Sequence, residues 1–187
     1  MNCRRKREQL KALVISDTHG RIERILSLYD RLNDIDMIIH LGDYESDAEQ
    51  LGDILETEVV SLKGNMDGSM DRQYKVMDTP CGKVFLTHGH AYGVRMSFSA
   101  IADAAKKEGC IAALFGHTHV AVNAEENGIR IFNPGSPTYP RDGSDGSYGI
   151  ITADEDGFDA SVVYFGGPAK RPKGGFLRNL MNYSDGF

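Results

Sequence analysis

Side chains that bind divalent metals follow one predicted strand after another in this sequence. Asp17 and His19 come directly after the first strand, and their spacing of two places both on one face of an extended segment. Carboxylates and imidazoles are good ligands for hard and borderline divalent metals. Residues able to bind a metal through N or O follow four further strands, namely Asp43, Asn65, His88, and His117 with His119. This repetition predicts a metal site assembled from five strand ends.

Each of these residues also has a purely structural explanation. Asp17 is suited to cap the helix that follows the first strand, with His19 packed beside it. The alternatives elsewhere are an Asx-turn at Asp43, a left-handed turn at Asn65, a hydrogen-bonded core imidazole at His88, and exposed loop positions at His117 and His119. If there were no metal site, a separate structural explanation would have to hold at each of the five strand ends. A shared metal site is therefore favoured, and adjacent glycines would let the backbone approach it closely.

The ligand-bearing segments are predicted to end buried strands. Apolar runs rich in β-branched residues predict strands at 12–16, 37–41, 59–62, 83–87 and 111–115. Apolar residues at helical spacing fill three of the intervals, at 22–32, at 48–55 behind a capping box of Ser46 and Glu49, and from 99 up to Gly109. Strands that alternate with helices pair in parallel, and ligands gather at their carboxyl ends.

The second half of the sequence predicts antiparallel hairpins. Asn127-Gly128 separates the strands 120–124 and 129–132, and Asp156-Gly157 separates 148–153 from 158–164. From residue 166 onward, Gly, Pro and basic residues dominate and predict a peripheral tail. We expect one domain over residues 1–187, with its core at about 10–165 and the tail at 166–187.

Composition excludes several classes of protein. With 41% hydrophobic and 26% charged residues, the chain has the composition of a soluble globular protein. No apolar run approaches the roughly 20 residues that span a bilayer. A net charge of -6 argues against a surface that grips nucleic acid. The three cysteines are odd in number and lack metal-binding spacing, which predicts a cytoplasmic protein without disulfides.

In order and spacing, the motifs resemble the signature of the calcineurin-like metallophosphoesterases, and most closely the small single-domain prokaryotic phosphodiesterases of that superfamily. The resemblance rests on Asp17-x-His19, Gly42-Asp43, Gly64-Asn65, His88-Gly89-His90, Gly116-His117-Thr118-His119 and the turn Asn133-Pro134-Gly135-Ser136. It implies an α/β fold, a four-layer α-β-β-α sandwich of two mixed sheets flanked by helices.

The resemblance also implies two divalent metal ions. Asp17, His19 and His119 would hold one ion, Asn65, His88 and His117 the other, and Asp43 would bridge them. Because the site offers no Cys ligand, it suits Mn²⁺, which we place first, or Ni²⁺, Zn²⁺ or Fe. A hydroxide held between two such ions attacks phosphorus in line, so the implied activity is hydrolysis of a phosphodiester, with Asp43 and Asn65 as catalytic residues.

One position departs from the pattern of the superfamily. Many members have His directly after the Asn, placed to protonate the leaving oxygen, whereas this chain has Met66. General acid catalysis contributes typically 10²–10⁴-fold, so diesters and activated aryl esters are favoured as substrates unless Asp67 or His90 supplies the proton. Asp67 suits a turn equally well. Arg141 is a candidate phosphate clamp or a plain loop cation.

Two other functions compete with the hydrolase. A binding module could keep this fold as an interaction surface, as the metallophosphoesterase-like subunit of the retromer coat does, but such a scaffold has no need of a complete ligand set. A nuclease would need a basic groove, which the sequence does not indicate. Cyclic nucleotides, glycerophosphodiesters and nucleotide-derived diesters are all compatible small-molecule substrates, and a homo-oligomer is compatible with the sequence.

Overall fold

The computed structural model describes residues 9–68 and 73–167, which form ten strands and three helices. The strands are β1 (Leu10–Ile15), β2 (Met37–His40), β3 (Val59–Ser61), β4 (Tyr74–Thr79), β5 (Gly82–Thr87), β6 (Cys110–Leu114), β7 (Ala121–Glu126), β8 (Ile129–Pro134), β9 (Ser147–Asp154) and β10 (Gly157–Tyr164). The helices are α1 (Glu23–Tyr29), α2 (Glu45–Leu55) and α3 (Ser99–Lys107), with 3₁₀ turns at Asn65–Asp67 and His90–Tyr92.

The strands form two mixed sheets of five. The first has the order β10-β9-β1-β2-β3 and the second β4-β5-β6-β8-β7. In each sheet three parallel strands lie together, β1 to β3 in the first and β5, β6 and β8 in the second, and antiparallel strands complete the sheet. The predicted sandwich of two mixed sheets flanked by helices is confirmed.

Alternation of side chains along β1 explains the layers. Ala12 and Val14 point between the sheets and pack with residues of both, including Val84 and Phe132. Leu13 and Ile15 point the other way. Because both faces of β1 and β2 are covered, the runs 12–15 of β1 and 37–39 of β2 are apolar without interruption, as the sequence indicated.

Helices cover the outer faces of both sheets. Ile25 of α1 and Leu51 of α2 pack on the first sheet, and Ile101 and Ala105 of α3 pack on the second. None of the helices within residues 9–68 and 73–167 is long and apolar enough to cross a bilayer.

Sequence reasoning missed one strand and misplaced one cap. Strand β4 pairs with β5 at the edge of the second sheet, and its exposed, mixed pattern gave no clear signal. Helix α2 begins at Glu45 with no side-chain hydrogen bond from its N-cap residue, so the capping box of Ser46 and Glu49 is wrong. Both predicted hairpins are present. The basic N-terminus and the tail from residue 168 lie outside the described residues.

Candidate active site

The predicted ligands meet where the carboxyl ends of strands from both sheets come together. Parallel strands were expected to bring them together at their carboxyl ends. In the structure, β1, β2 and β3 of the first sheet and β5 and β6 of the second each lead into a ligand-bearing loop. We call Asp17, His19 and His119 the first group, and Asn65, His88 and His117 the second group. Asp43 lies between the two groups.

The first group forms a tight cluster with Asp43. Each of the four residues offers one ligand atom, and these atoms all lie within 4.8 Å of one another. His119 Nε2 lies 3.3 Å from His19 Nε2 and 3.2 Å from Asp17 Oδ1. His119 Nδ1 donates a hydrogen bond to the backbone oxygen of Tyr139 at 2.7 Å, which leaves the lone pair of Nε2 facing the cluster in the neutral ring.

The donor set of the first group fits a divalent metal. Asp17 Oδ1 is buried and accepts no hydrogen bond. Burial alone would raise the pKa of Asp17, but the electrostatic influence of the nearby His119 and His88 rings outweighs it and lowers the pKa to about 2. Burial lowers the pKa of His19 and favours the neutral ring. Acceptor atoms that face one another in a buried site are best satisfied by a cation.

The second group is joined by pairwise contacts. Asn65 Oδ1 lies 3.2 Å from His88 Nε2 and 2.9 Å from His117 Nδ1. His88 Nδ1 donates to the backbone oxygen of Leu41 at 2.9 Å, so Nε2 is turned toward Asn65. Burial, together with the charges of His88 and Arg95, lowers the pKa of His117 to about 4. Imidazole nitrogens and an amide oxygen are both metal ligands, so this group also has suitable donors.

The carboxylate of Asp43 faces both groups. Its Oδ2 lies 3.9 Å from His19 Nε2, and its Oδ1 lies 3.3 Å from His88 Nε2. The backbone N–H of Met66 donates to Oδ1 at 2.9 Å. A Cβ at Gly64 would collide with this same oxygen, so only glycine fits there. The arrangement is that expected of a bridging ligand, and the bridging role itself stays a prediction.

Backbone strain concentrates at this site. Of the nine non-glycine residues with left-handed φ in the described chain, five are predicted ligands, namely Asp17, His19, Asp43, His117 and His119, with φ between 50° and 66°. Such residues persist only where surrounding structure determines them, and they cluster at functional sites. The sharp loops turn each side chain back toward the crevice.

A buried relay of hydrogen bonds supports the first group, and sequence reasoning missed it. Thr18 Oγ1 donates to Asp47 Oδ2 at 2.6 Å, and it therefore accepts from His40 Nε2 at 2.9 Å. The backbone N–H of Gly42 donates to His40 Nδ1. Burial lowers the pKa of His40 to about 4, so the ring stays neutral near pH 7. A histidine ending a buried apolar strand was the one available signal.

The predicted acid candidates lie on the side of the second group. Asp67 accepts three backbone N–H bonds, from Tyr44, Glu45 and Gly64 at 2.8–3.0 Å, and so caps α2. The sequence left Asp67 open as a turn residue or as a proton donor. These hydrogen bonds correspond to the turn role, and proton donation by Asp67 stays untested. Met66 is 57% exposed.

His90 lies beside the second group as well. Its ring centroid is 5.3 Å from that of His88 and 6.1 Å from that of His117. It is therefore close to two predicted ligands without being one of the set. Its predicted part in orienting the site or in proton transfer stays a prediction.

An open cleft of about 470 Å³ adjoins the first group. Its walls are His19, Tyr44, His119, Tyr139, Pro140 and Arg141. The predicted substrate residue Arg141 thus lies beside the cluster, with an exposed side chain, whereas the predicted substrate residue Asn65 lies in the second group. The two tyrosines were not predicted, since a lone aromatic in a loop carries no spacing signal.

The sequence matches a family model over most of its described length. Residues 10–156 match the model of the calcineurin-like phosphoesterase superfamily domain. A probable metallophosphoesterase of Bacillus subtilis, YsnB, is 33% identical over 158 residues, covering 83% of this chain and 90% of the relative. The phosphodiesterase YfcE of Escherichia coli K12 is 27% identical over 172 residues, covering 78% of this chain and 89% of the relative.

Solved structures share the fold. A predicted phosphoesterase from Streptococcus pneumoniae superposes with a TM-score of 0.68 at 26% identity, covering 84% of this chain and 90% of that one. Vacuolar protein sorting 29 from Cryptosporidium parvum superposes with a TM-score of 0.62 at 18% identity, covering 85% and 99%. The second likeness is one of fold alone.

Proposed function

The chain belongs to the calcineurin-like phosphoesterase superfamily, and from this membership we propose that it is a metal-dependent phosphodiesterase with two metal ions. The observation that carries the proposal is the position of Asp43, whose two carboxylate oxygens face His19 and His88 of different ligand groups. A residue so placed is suited to couple two ions in one site.

The proposed ligands divide as the two groups do. Asp17, His19 and His119 would hold one ion, the second group the other, and Asp43 both. When bound, two divalent ions supply a nucleophilic hydroxide near neutral pH and take up negative charge that grows on the phosphoryl oxygens. The chain itself orients its imidazoles through backbone acceptors, at Tyr139 for His119 and at Leu41 for His88. Such outer partners fix which ring nitrogen is free.

A diester is the substrate class that this site favours over an alkyl monoester. Met66 has neither a proton nor a positive charge to offer a leaving oxygen, and Asp67 is engaged by three backbone N–H groups. These two residues therefore give little help with leaving-group protonation, which matters least for diesters with activated leaving groups.

The test is hydrolysis of bis(p-nitrophenyl) phosphate by purified chain supplied with Mn²⁺, Ni²⁺ or Zn²⁺. We expect turnover that a chelator abolishes and that added metal restores. Protein that binds no metal and turns over nothing would overturn the proposal. An interaction scaffold, the fold's other use, would then be the function to pursue through partner binding.

A further inference from the structure

Aromatic side chains form one wall of the cleft beside the first group, although hydrolysis of a phosphoester does not itself require them. The rings of Tyr44 and Tyr139 both form T-shaped pairs with the ring of His19, with centroids 5.3 Å and 5.4 Å from it. Tyr139 is 41% exposed although it touches a buried cluster. A volume of about 470 Å³ lies within the range of about 300–1,000 Å³ usual for small-molecule sites.

Hydrogen bonds fix the loop that carries Tyr139. Thr138 Oγ1 donates to the backbone oxygen of Thr18 at 3.0 Å, and Arg24 Nη1 donates to that of Pro137 at 2.8 Å. The backbone N–H of Arg141 donates to the backbone oxygen of His119 at 3.0 Å, next to the bond between Tyr139 and the His119 ring. Tyr139 is thus held in a fixed position beside the first group, so the loop loses little conformational entropy when a ligand binds there.

The charges around this wall suit an anionic ester that carries a flat ring. The guanidinium of Arg21 lies over the ring of Tyr139, 5.0 Å from its centroid, and Arg141 lines the same cleft. Tyrosine faces stack on planar rings with little dependence on which ring it is, and arginine pairs with phosphate oxygens.

We propose that this cleft binds an aromatic ring carried by one ester group of the substrate, which makes the substrate a nucleoside-containing phosphodiester rather than a glycerophosphodiester. The inference rests on the proposed function for the reaction itself. In that reaction an oxygen from water bonds to phosphorus, the bond to the leaving oxygen breaks with its electron pair, and the leaving group and the new phosphate monoester share the protons of the water.

Three diesters with one leaving group test the kinetic side. The p-nitrophenyl esters of thymidine 5′-phosphate, phenyl phosphate and methyl phosphate all release p-nitrophenolate, so only the retained group differs. We expect kcat/KM for the thymidine ester to exceed that for the methyl ester by about 10-fold or more, the range of one stacked base. The phenyl ester separates a general need for a ring from recognition of the nucleoside.

Variants locate the preference in the wall. Tyr139→Leu should bring the thymidine-to-methyl ratio close to 1, whereas Tyr139→Phe should retain it. Tyr74, which is 44% exposed and stacks on Phe85, provides the matched control, because Tyr74→Leu should keep the wild-type ratio. Taking a ratio cancels any change in metal content. A ratio near 1 in the wild type, or one unchanged in Tyr139→Leu, overturns the inference.

Binding without turnover separates failure of this inference from failure of the proposed function. Thymidine 5′-monophosphate carries a base at C1′ where 2-deoxyribose 5-phosphate carries a hydroxyl, and calorimetry in chelator compares the two on the metal-free chain. The chain has no Trp, so quenching of Tyr fluorescence gives a second readout. We expect about 10-fold tighter binding of the nucleotide in the wild type and in Tyr139→Phe, and no difference in Tyr139→Leu. Equal binding of both compounds overturns the cleft assignment even in an active enzyme.

Discussion

The first and second groups present similar donors on different backbones. All three residues of the first group have left-handed φ, and their ligand atoms converge within 4.8 Å together with Asp43. In the second group only His117 is left-handed, and the three side chains meet pairwise at the amide oxygen of Asn65. Strained backbone is therefore found where several predicted ligands must reach one point. Where the side chains do not all converge on one point, as in the second group, side-chain hydrogen bonds are enough to hold them together.

The largest expected effect comes from the residue that joins the two groups. Asp43→Ala removes the carboxylate whose two oxygens face His19 of one group and His88 of the other, so we expect kcat to fall by about 10³-fold or more while the fold persists. The matched control is Asp34→Ala, since Asp34 is exposed and has a φ of 57° against 60° at Asp43. Circular dichroism checks folding and elemental analysis checks metal content. Wild-type turnover by metal-saturated Asp43→Ala would end its assignment as the bridge.

The two groups should also differ in metal affinity. Because its four donors already converge, the first group with Asp43 should bind Mn²⁺ more tightly than the second group does. His119→Ala should weaken the tighter of the two Mn²⁺-binding steps, and His117→Ala should weaken the other. In each case the Mn²⁺ affinity should fall by more than the roughly 10–100-fold that loss of a supporting partner costs. Calorimetric titration of apoprotein measures both. Equal loss of both equivalents in either variant would mean that the groups do not bind separately.

Acid should weaken the support of the first group. The pKa of His40 is about 4 in the folded chain against an ordinary value of 6.5, so the unfolded chain takes up the proton first as pH falls. The free energy of unfolding is therefore expected to drop by up to about 3 kcal/mol between pH 6.5 and pH 4. Urea unfolding of the chelated chain at several pH values measures this. His40→Gln should flatten that part of the profile, and an equal slope in both would exclude His40 as its source.

The smallest effect is expected beside the second group. Met66→His adds an imidazole that can protonate a leaving oxygen, so turnover of an alkyl monoester should rise and the diester-to-monoester ratio of kcat/KM should narrow by about 10-fold. Met66→Leu controls for a change of side chain without a proton. Both are compared at matched metal occupancy. If the ratio stays fixed in Met66→His, another group protonates the leaving oxygen, and Asp67 and His90 are next.

Sequence patterns predicted the parts of this molecule that depend on periodicity. Buried strands such as β1 and β2 and the hairpin at Asn127-Gly128 carry local signals, and the candidate ligands could be singled out because each follows a strand. Apart from the histidine that ends β2, the relay through His40, Thr18 and Asp47 carries no such signal, because it joins a strand, a loop and a helix that only the folded chain brings together. Tyr139 carries no sequence signal either, because its proposed role depends on its distance from His19 in the folded chain.

At the five predicted ligands with left-handed backbone, selection for stability and selection for catalysis should favour different residues. A non-glycine residue in that conformation costs of order 1 kcal/mol, which glycine would relieve without a side chain to bind anything. A library of variants sorted only for resistance to unfolding should therefore enrich glycine at positions such as His19 and His119, whereas sorting for catalysis should purge it. Positions where the two enrichments diverge would map, with no structure at all, the residues that this chain keeps at the expense of its own stability.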